Sequence, residues 1–61
     1  MKNQMKLKIA TNYYSHNEFS MCSQMFDECS KKIIKKGVFS ESDFEIIRKT
    51  AITHFKIFEM E

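Results

Sequence analysis

One sequence pattern occurs twice in this 61-residue chain and predicts where two helices begin. It consists of an aromatic residue, Ser, two variable residues, an acid and Phe, and it occupies residues 14–19 and 39–44. A Ser at the N-cap accepts a hydrogen bond from the backbone N–H three residues later, and the acid at that position bonds back to the Ser N–H. The flanking aromatic residues stand where a hydrophobic staple forms. Two helices are therefore expected.

The apolar spacing predicts that these helices form an antiparallel hairpin. We expect the first helix over residues 15–36, a turn over 37–40 and the second helix over 41–60, within one small domain. Gly37 can adopt the left-handed conformation that ends a helix. Apolar residues recur at steps of three and four in both helices, which predicts the two facing sides. These sides are Phe19, Cys22, Phe26, Cys29 and Ile33 in the first helix, and Phe44, Ile47, Ala51, His54 and Phe58 in the second, with Phe55 beside them.

A second apolar stripe predicts that two copies of the chain associate. It consists of Met21, Met25, Ile46, Thr50 and Ile57, which fall on one broad face of the predicted hairpin. An exposed apolar face is unfavourable on a chain so short that it buries only about 60% of its unfolded surface. We therefore expect a mostly α-helical fold, in which the hairpin and a short N-terminal extended segment form a dimeric four-helix assembly.

Residues 1–14 follow a different pattern. Met5, Leu7 and Ile9 alternate with polar residues, which is typical of a short strand. The alternative is a basic tail, as at many N-termini. A strand here needs a partner strand, which a second copy of the chain would supply.

Residue spacing indicates no catalytic, cofactor or metal site. Cys22 and Cys29 lie seven residues apart, which is about 10.5 Å along a helix, whereas a disulfide needs a Cα separation of roughly 4.4–6.8 Å. We interpret them as buried thiols in a reducing cytosol. Cys22 level with His54 is the one nucleophile–base pair that the hairpin brings together, and it would lie inside the helix interface. We therefore expect a non-enzymatic protein without cofactor, metal or small-molecule substrate.

Charge and hydropathy narrow the expected partners and location. The net charge of +2 is too small to indicate nucleic-acid binding by itself. No apolar run approaches the ~18 residues that a membrane span requires, and the N-terminus lacks the apolar core of a signal peptide. We expect a cytoplasmic protein that does not bind a membrane.

The order strand, helix, turn, helix resembles that of ribbon-helix-helix DNA-binding proteins, and residues 45–52 are similar to the second helix of that family. The resemblance implies that paired strands enter the major groove and that Gln4, Lys6 and Lys8 face the bases. The length and the hairpin plan also resemble small plasmid RNA-binding hairpin dimers. Independently of these resemblances, four lysines lie near the end of the first helix, where a solvated helix end explains them; the alternative is that they contact phosphate. They are Lys31, Lys32, Lys35 and Lys36.

The leading functional expectation is a small regulatory or inhibitory homodimer that binds a protein partner. The acidic and basic groups along the hairpin would then set the choice of partner. The alternative is a dimeric nucleic-acid-binding regulator, either a DNA-binding protein of ribbon-helix-helix layout or an RNA-binding hairpin.

Overall fold

Three α-helices make up most of the chain. The computed structural model describes the backbone of residues 2–60 and the side chains of residues 5–60. Helix α1 spans Lys2–Ser15, α2 spans Phe19–Lys36 and α3 spans Glu41–Met60. Helix α2 lies between the other two and packs against both. The predicted helical class is confirmed, while the two-helix plan is too simple because α1 forms a third helix.

The predicted N-terminal strand is wrong, because the described part of this segment is helical and residues 2–60 contain no strand. The same segment also carries apolar residues at helical spacing, namely Leu7, Ala10 and Tyr14. Ala10 is fully buried, and Leu7 and Tyr14 pack against the core that it forms with α2. A helix this short gains most of its stability from such packing rather than from its own propensity. Contact with α2 therefore decides its conformation.

The first predicted helix start is the end of α1 instead. Ser15 is the last residue of α1, and α2 begins four residues later without a side-chain cap. Asn17 has a left-handed backbone with φ 61°, and its N–H donates to the Tyr14 carbonyl at 3.1 Å. The Glu18 N–H donates to the Tyr13 carbonyl at 2.9 Å. These two bonds form a Schellman ending, in which Asn takes the place usually held by Gly.

The second predicted helix start forms as the sequence indicates. Ser40 Oγ accepts a hydrogen bond from the Asp43 N–H at 3.2 Å, and Asp43 Oδ2 accepts one from the Ser40 N–H at 2.9 Å. The rings of Phe39 and Phe44 pack edge to face, with centroids 5.4 Å apart. The Ser40 N–H and, less strongly, the ammonium of Lys36 lower the pKa of Asp43. Their stabilisation is present above the ordinary carboxyl pKa of 3.8 and is lost as the pH falls through the lower pKa of the folded chain.

Helix α2 ends at a left-handed glycine. Gly37 has φ 81°, and its N–H donates to the carbonyl of Ile33 at 3.3 Å, which is the αL type of helix ending. A Cβ added at Gly37 would meet nothing within 4 Å. The requirement for glycine is therefore conformational rather than steric.

The core is centred on the middle of α2. Phe26 and Cys22 of α2 are fully buried together with Ala10 of α1. The ring of Tyr14 meets Phe26 edge to face, with centroids 6.0 Å apart, and it meets Phe19 in the same way at 5.6 Å. The small side chain of Ala10 leaves room for these rings, so α1 packs on α2 through aromatic groups.

Short polar side chains form part of the interface between α2 and α3. The hydroxyls of Ser30 and Thr50 lie 2.7 Å apart, and the single hydrogen of Thr50 is shared between the carbonyl of Ile46 at 2.7 Å and, across the interface, the carbonyl of Phe26 at 3.3 Å. A side-chain hydrogen bond reaching main chain on the facing helix requires a close approach of the two helices. The fully buried Thr53 lies beside Cys22.

The face of α3 that meets α2 is therefore rotated by one residue, about 100°, from the predicted face. The structure places Ile46, Thr50, Thr53 and Ile57 on the inner side, where Ile47, Ala51, His54 and Phe58 were expected. The pairing level along the helices is close to the predicted one, since Cys22 lies beside Thr53 rather than His54. The error in the predicted facing sides is thus one of helix rotation rather than of register.

The capping geometry predicts that two serines contribute unequally to stability. Replacing Ser40 by Ala removes the cap of α3 and should lower the free energy of unfolding by about 1 kcal/mol. Replacing Ser15 by Ala is the matched control, because its exposed hydroxyl contacts only the Asn12 carbonyl and the His16 ring at the end of α1 and caps no helix start. Urea denaturation of both variants measures the difference. Equal losses at the two positions would contradict the assignment of helix starts.

Candidate functional site

The most distinctive surface is an apolar face of α3 that neither of the other helices within residues 2–60 covers. We call it the outer stripe. Its three aromatic residues are 52%, 61% and 68% exposed, in chain order. The stripe extends over 14 residue steps, or about 21 Å. It consists of Phe44, Ile47, Ala51, Phe55 and Phe58.

The stripe lies outside because threonines fill the inner side of α3 at little cost. Thr50 Oγ1 donates to the Ile46 carbonyl and Thr53 Oγ1 to the Lys49 carbonyl, each at 2.7 Å. A buried hydroxyl that bonds to its own helix leaves no unpaired polar atom, and the side chains of residues 5–60 contain no unsatisfied buried nitrogen or oxygen. Short side chains also let α3 approach α2 closely. Phenylalanines at these positions would hold the helices apart, so they face away from α2.

Helix α1 leaves the stripe uncovered because it approaches α3 from another side. The only ring–cation contact between these helices in the described part of the chain is Lys49 Nζ over Tyr14, 5.7 Å from the ring centroid. Lys49 and Ala51 are two residues apart and therefore point about 160° away from each other around the helix. The edge of the stripe nearest to α2 is closed by His54, whose Nε2 lies 2.5 Å from Asp27 Oδ1.

Charged pairs follow the opposite edge of the stripe. Arg48 donates to Glu45 at 3.1 Å near one end, and Lys56 lies 3.7 Å from Glu59 near the other. Each pair spans three residues and is exposed. Exposed pairs of this kind contribute little to stability. Their importance lies in the alternating charge that they place beside an apolar surface.

The predicted dimer interface does not form one surface of the chain. Thr50 is buried against α2, and Met25 and Ile46 pack against the core. Ile57 is half-buried, and Met21 is the exposed member at 53%. The outer stripe was assigned by sequence to the inside of the hairpin, so reasoning from sequence missed it as a surface. Two threonines spaced by three residues were the signal for the inner face.

The candidate nucleic-acid residues are spread over different surroundings. Lys6 pairs with Glu28 at 3.1 Å and Lys36 with Asp43 at 3.3 Å, so both ammonium groups already contact carboxylates. The side chain of Gln4 lies outside the described residues. The remaining lysines are exposed on α1 and α2, namely Lys8, Lys31, Lys32 and Lys35.

The two thiols are buried and are not bonded to each other. Cys22 is 0% and Cys29 5% exposed, and burial raises the pKa of both thiols. Cys22 lies beside Thr53, while His54 bonds to Asp27, so the nucleophile–base pair considered from sequence does not form. Among the described residues, no group of three or more His, Cys, Asp or Glu side chains could hold a metal ion.

No protein-family model matches the chain, and neither curated proteins nor solved structures give a match. Of the helices described here, none combines the length and the apolar character needed to cross a membrane. The functional argument therefore depends on the surface of the chain itself.

The arrangement predicts that two phenylalanines differ sharply in their contribution to folding. Replacing Phe26 by Ala should lower the free energy of unfolding by about 3–5 kcal/mol, because it opens a cavity at the core. Replacing Phe55 by Ala should change it by less than about 0.5 kcal/mol, because that ring is exposed. Thermal denaturation at high dilution, where association does not contribute, makes the comparison. Similar losses would contradict the outward orientation of the stripe.

Proposed function

We propose that this chain is a non-enzymatic regulatory or inhibitory protein that acts by binding a protein partner through the outer stripe. The observation that carries the proposal is the exposure of Phe44, Phe55 and Phe58 along one face of a regular helix. Contiguous apolar surface rimmed by charge is typical of interaction sites, and aromatic residues are enriched at the centres of protein interfaces.

The shape of the stripe favours a helical partner. Its residues recur at steps of three and four over about 21 Å, which is the spacing by which amphipathic helices contact each other or a groove. Because the stripe lies on a helix held by α2, it is already in the conformation that binds, and little ordering is needed on association. The charged pairs Glu45–Arg48 and Lys56–Glu59 would favour a partner that carries complementary charges at the positions facing them.

The chemistry of the remaining side chains supports binding rather than catalysis. Burial raises the pKa of Cys22 and Cys29, so at neutral pH their nucleophilic thiolate forms are suppressed. His54, the histidine nearest to the stripe, is hydrogen-bonded to Asp27. A small chain with one rigid apolar face acts most simply through a protein–protein contact on that face.

The structure gives less support to the nucleic-acid alternative. The ribbon-helix-helix layout depends on an N-terminal strand, and that segment is helical from Lys2 onward. Two of the lysines assigned to nucleic acid, Lys6 and Lys36, are paired with carboxylates of the chain. A protein partner is therefore the proposal that we carry forward.

Site-specific photocrosslinking tests the proposed function. A photoreactive phenylalanine analogue replaces Phe55 on the stripe or, as the matched control, the exposed Ile9 on α1, in cells that normally produce the chain. We expect the Phe55 position, and not the Ile9 position, to give one covalent adduct that mass spectrometry identifies. The purified pair should then bind at least about tenfold more weakly after Phe55→Glu, since a buried charge costs more than 1.4 kcal/mol.

Two results would overturn the proposed function. One is the absence of an adduct from Phe55. The other is an identified partner whose affinity for the chain is unchanged by Phe55→Glu.

A further inference from the structure

The outer stripe has a symmetry that a general binding surface does not need. Relative to Ala51, its other members stand at −7, −4, +4 and +7, so the spacing reads the same in both directions along α3. Two identical α3 helices can pack antiparallel about a twofold axis at residue 51. A residue of one copy then lies level with the residue of the other copy for which the two residue numbers add up to 102. Phe44 then meets Phe58, and Ile47 meets Phe55.

We infer that the partner of the outer stripe is a second copy of this chain, bound antiparallel through α3 with the twofold axis at Ala51. This inference rests on the proposed function, because it uses the same surface and names its partner. Every apolar residue of the stripe would face an apolar residue of the other copy. At the centre, two alanines face each other and allow the helices to approach closely, while aromatic rings pack on either side.

Charges along the edge of the stripe match the same register. A twofold axis perpendicular to the plane of two antiparallel helices brings the same edge of each copy together. Glu45 lies at the level of residue 57 in the other copy, next to Lys56 there. The Glu45–Arg48 pair of one copy thus stands beside the Lys56–Glu59 pair of the other at two symmetric places along this shared edge, and each place gathers two acids and two bases. A parallel pair, whose twofold axis runs along the helices, would instead place the charged edge of one copy beside the His54 edge of the other.

The area is sufficient for a specific but modest interface. A Phe side chain buries about 150–250 Å², so three rings that are 52–68% exposed, with the neighbouring aliphatic groups, supply roughly 1,000 Å² over two copies. That value is the lower limit for a specific protein–protein interface. We therefore expect a dimer that dissociates on dilution rather than an obligate one.

The interface differs from the one that sequence predicts, although both contain two copies. The predicted residues Met25, Ile46 and Thr50 pack within the chain and cannot serve a second copy without unfolding the three-helix unit. The inferred interface uses the outer stripe instead, whose residues were predicted from sequence to form the inner face of the second helix. Because α3 is rotated by one residue, the side chains that were expected to contact the first helix of the same chain are free to contact a second copy.

Sedimentation equilibrium of the full chain, from micromolar to millimolar concentration, tests the inference. We expect the mass of one copy at high dilution and of two copies at high concentration. Replacing the exposed Ala51 by Glu places two like charges at the twofold axis and should raise the dissociation constant at least about 100-fold. The matched control is Thr11→Glu on the exposed face of α1, which should leave the dissociation constant unchanged. Helical circular dichroism should be the same for all three proteins.

A spin-label distance tests the orientation. Glu41 is exposed at the start of α3, whereas both native thiols are buried, so a label on Glu41→Cys reacts selectively. The antiparallel register separates the two labels by about 20 residue steps, or roughly 30 Å along the axis. A parallel dimer would bring them within about 10 Å, the usual distance between packed helices. The shorter distance would overturn the inference.

The remaining outcomes separate this inference from the proposed function. A chain that stays monomeric at millimolar concentration overturns the second copy as partner. If Phe55 then crosslinks to a different protein, the proposed function stands and only the identity of the partner changes. A monomeric chain that gives no crosslink overturns both. A dimer that is unaffected by Ala51→Glu overturns the interface, because association then uses another surface.

Discussion

The burial of Phe26 is the constraint on which the rest of the structure depends. A single large ring in the middle of α2 cannot be shielded by one neighbouring helix, and it is fully buried because two helices flank α2. Helix α1 supplies Ala10 and the edge of Tyr14, and α3 approaches so closely that Thr50 bonds to the carbonyl of Phe26. The two sides of α2 therefore differ, since aromatic packing holds α1 and short polar groups hold α3. This division determines which residues of α3 remain outside.

The sequence predicts local features of this fold better than tertiary ones. The cap of α3 by Ser40 and the helix ending at Gly37 depend on residues close in sequence, and both form as their patterns indicate. The motif at Ser15 fails because Asn17 ends the preceding helix, and the presence of that helix depends on contacts with α2. Apolar alternation in the same segment is compatible with a strand as well as a helix. Only the buried position of Ala10 resolves the ambiguity.

The outer stripe could not be predicted as a surface from the sequence, for a related reason. A pattern of apolar residues at steps of three and four identifies a face of a helix, but it does not say whether that face meets another part of the chain or solvent. In α3 two such faces compete. The inner one is held by Thr50 and Thr53, whose hydroxyls bond within the helix, so residues that count as polar in a hydropathy pattern are buried at little cost. The larger apolar residues are left on the surface, and their palindromic spacing about Ala51 becomes meaningful only once they are known to be exposed.

The orientation of α3 is the central claim, and nuclear Overhauser contacts of two neighbouring methyl groups test it most directly. At high dilution, the Thr53 methyl should show contacts to Cys22 of α2, and the Ala51 methyl should show none to α2. The Ala10 methyl should contact the Phe26 ring and serve as an internal reference for the core. Contacts from Ala51 to Phe26, with none from Thr53 to Cys22, would mean that α3 is turned by one residue. In that case the outer stripe would be the inside of the fold, and the proposed binding surface would not exist.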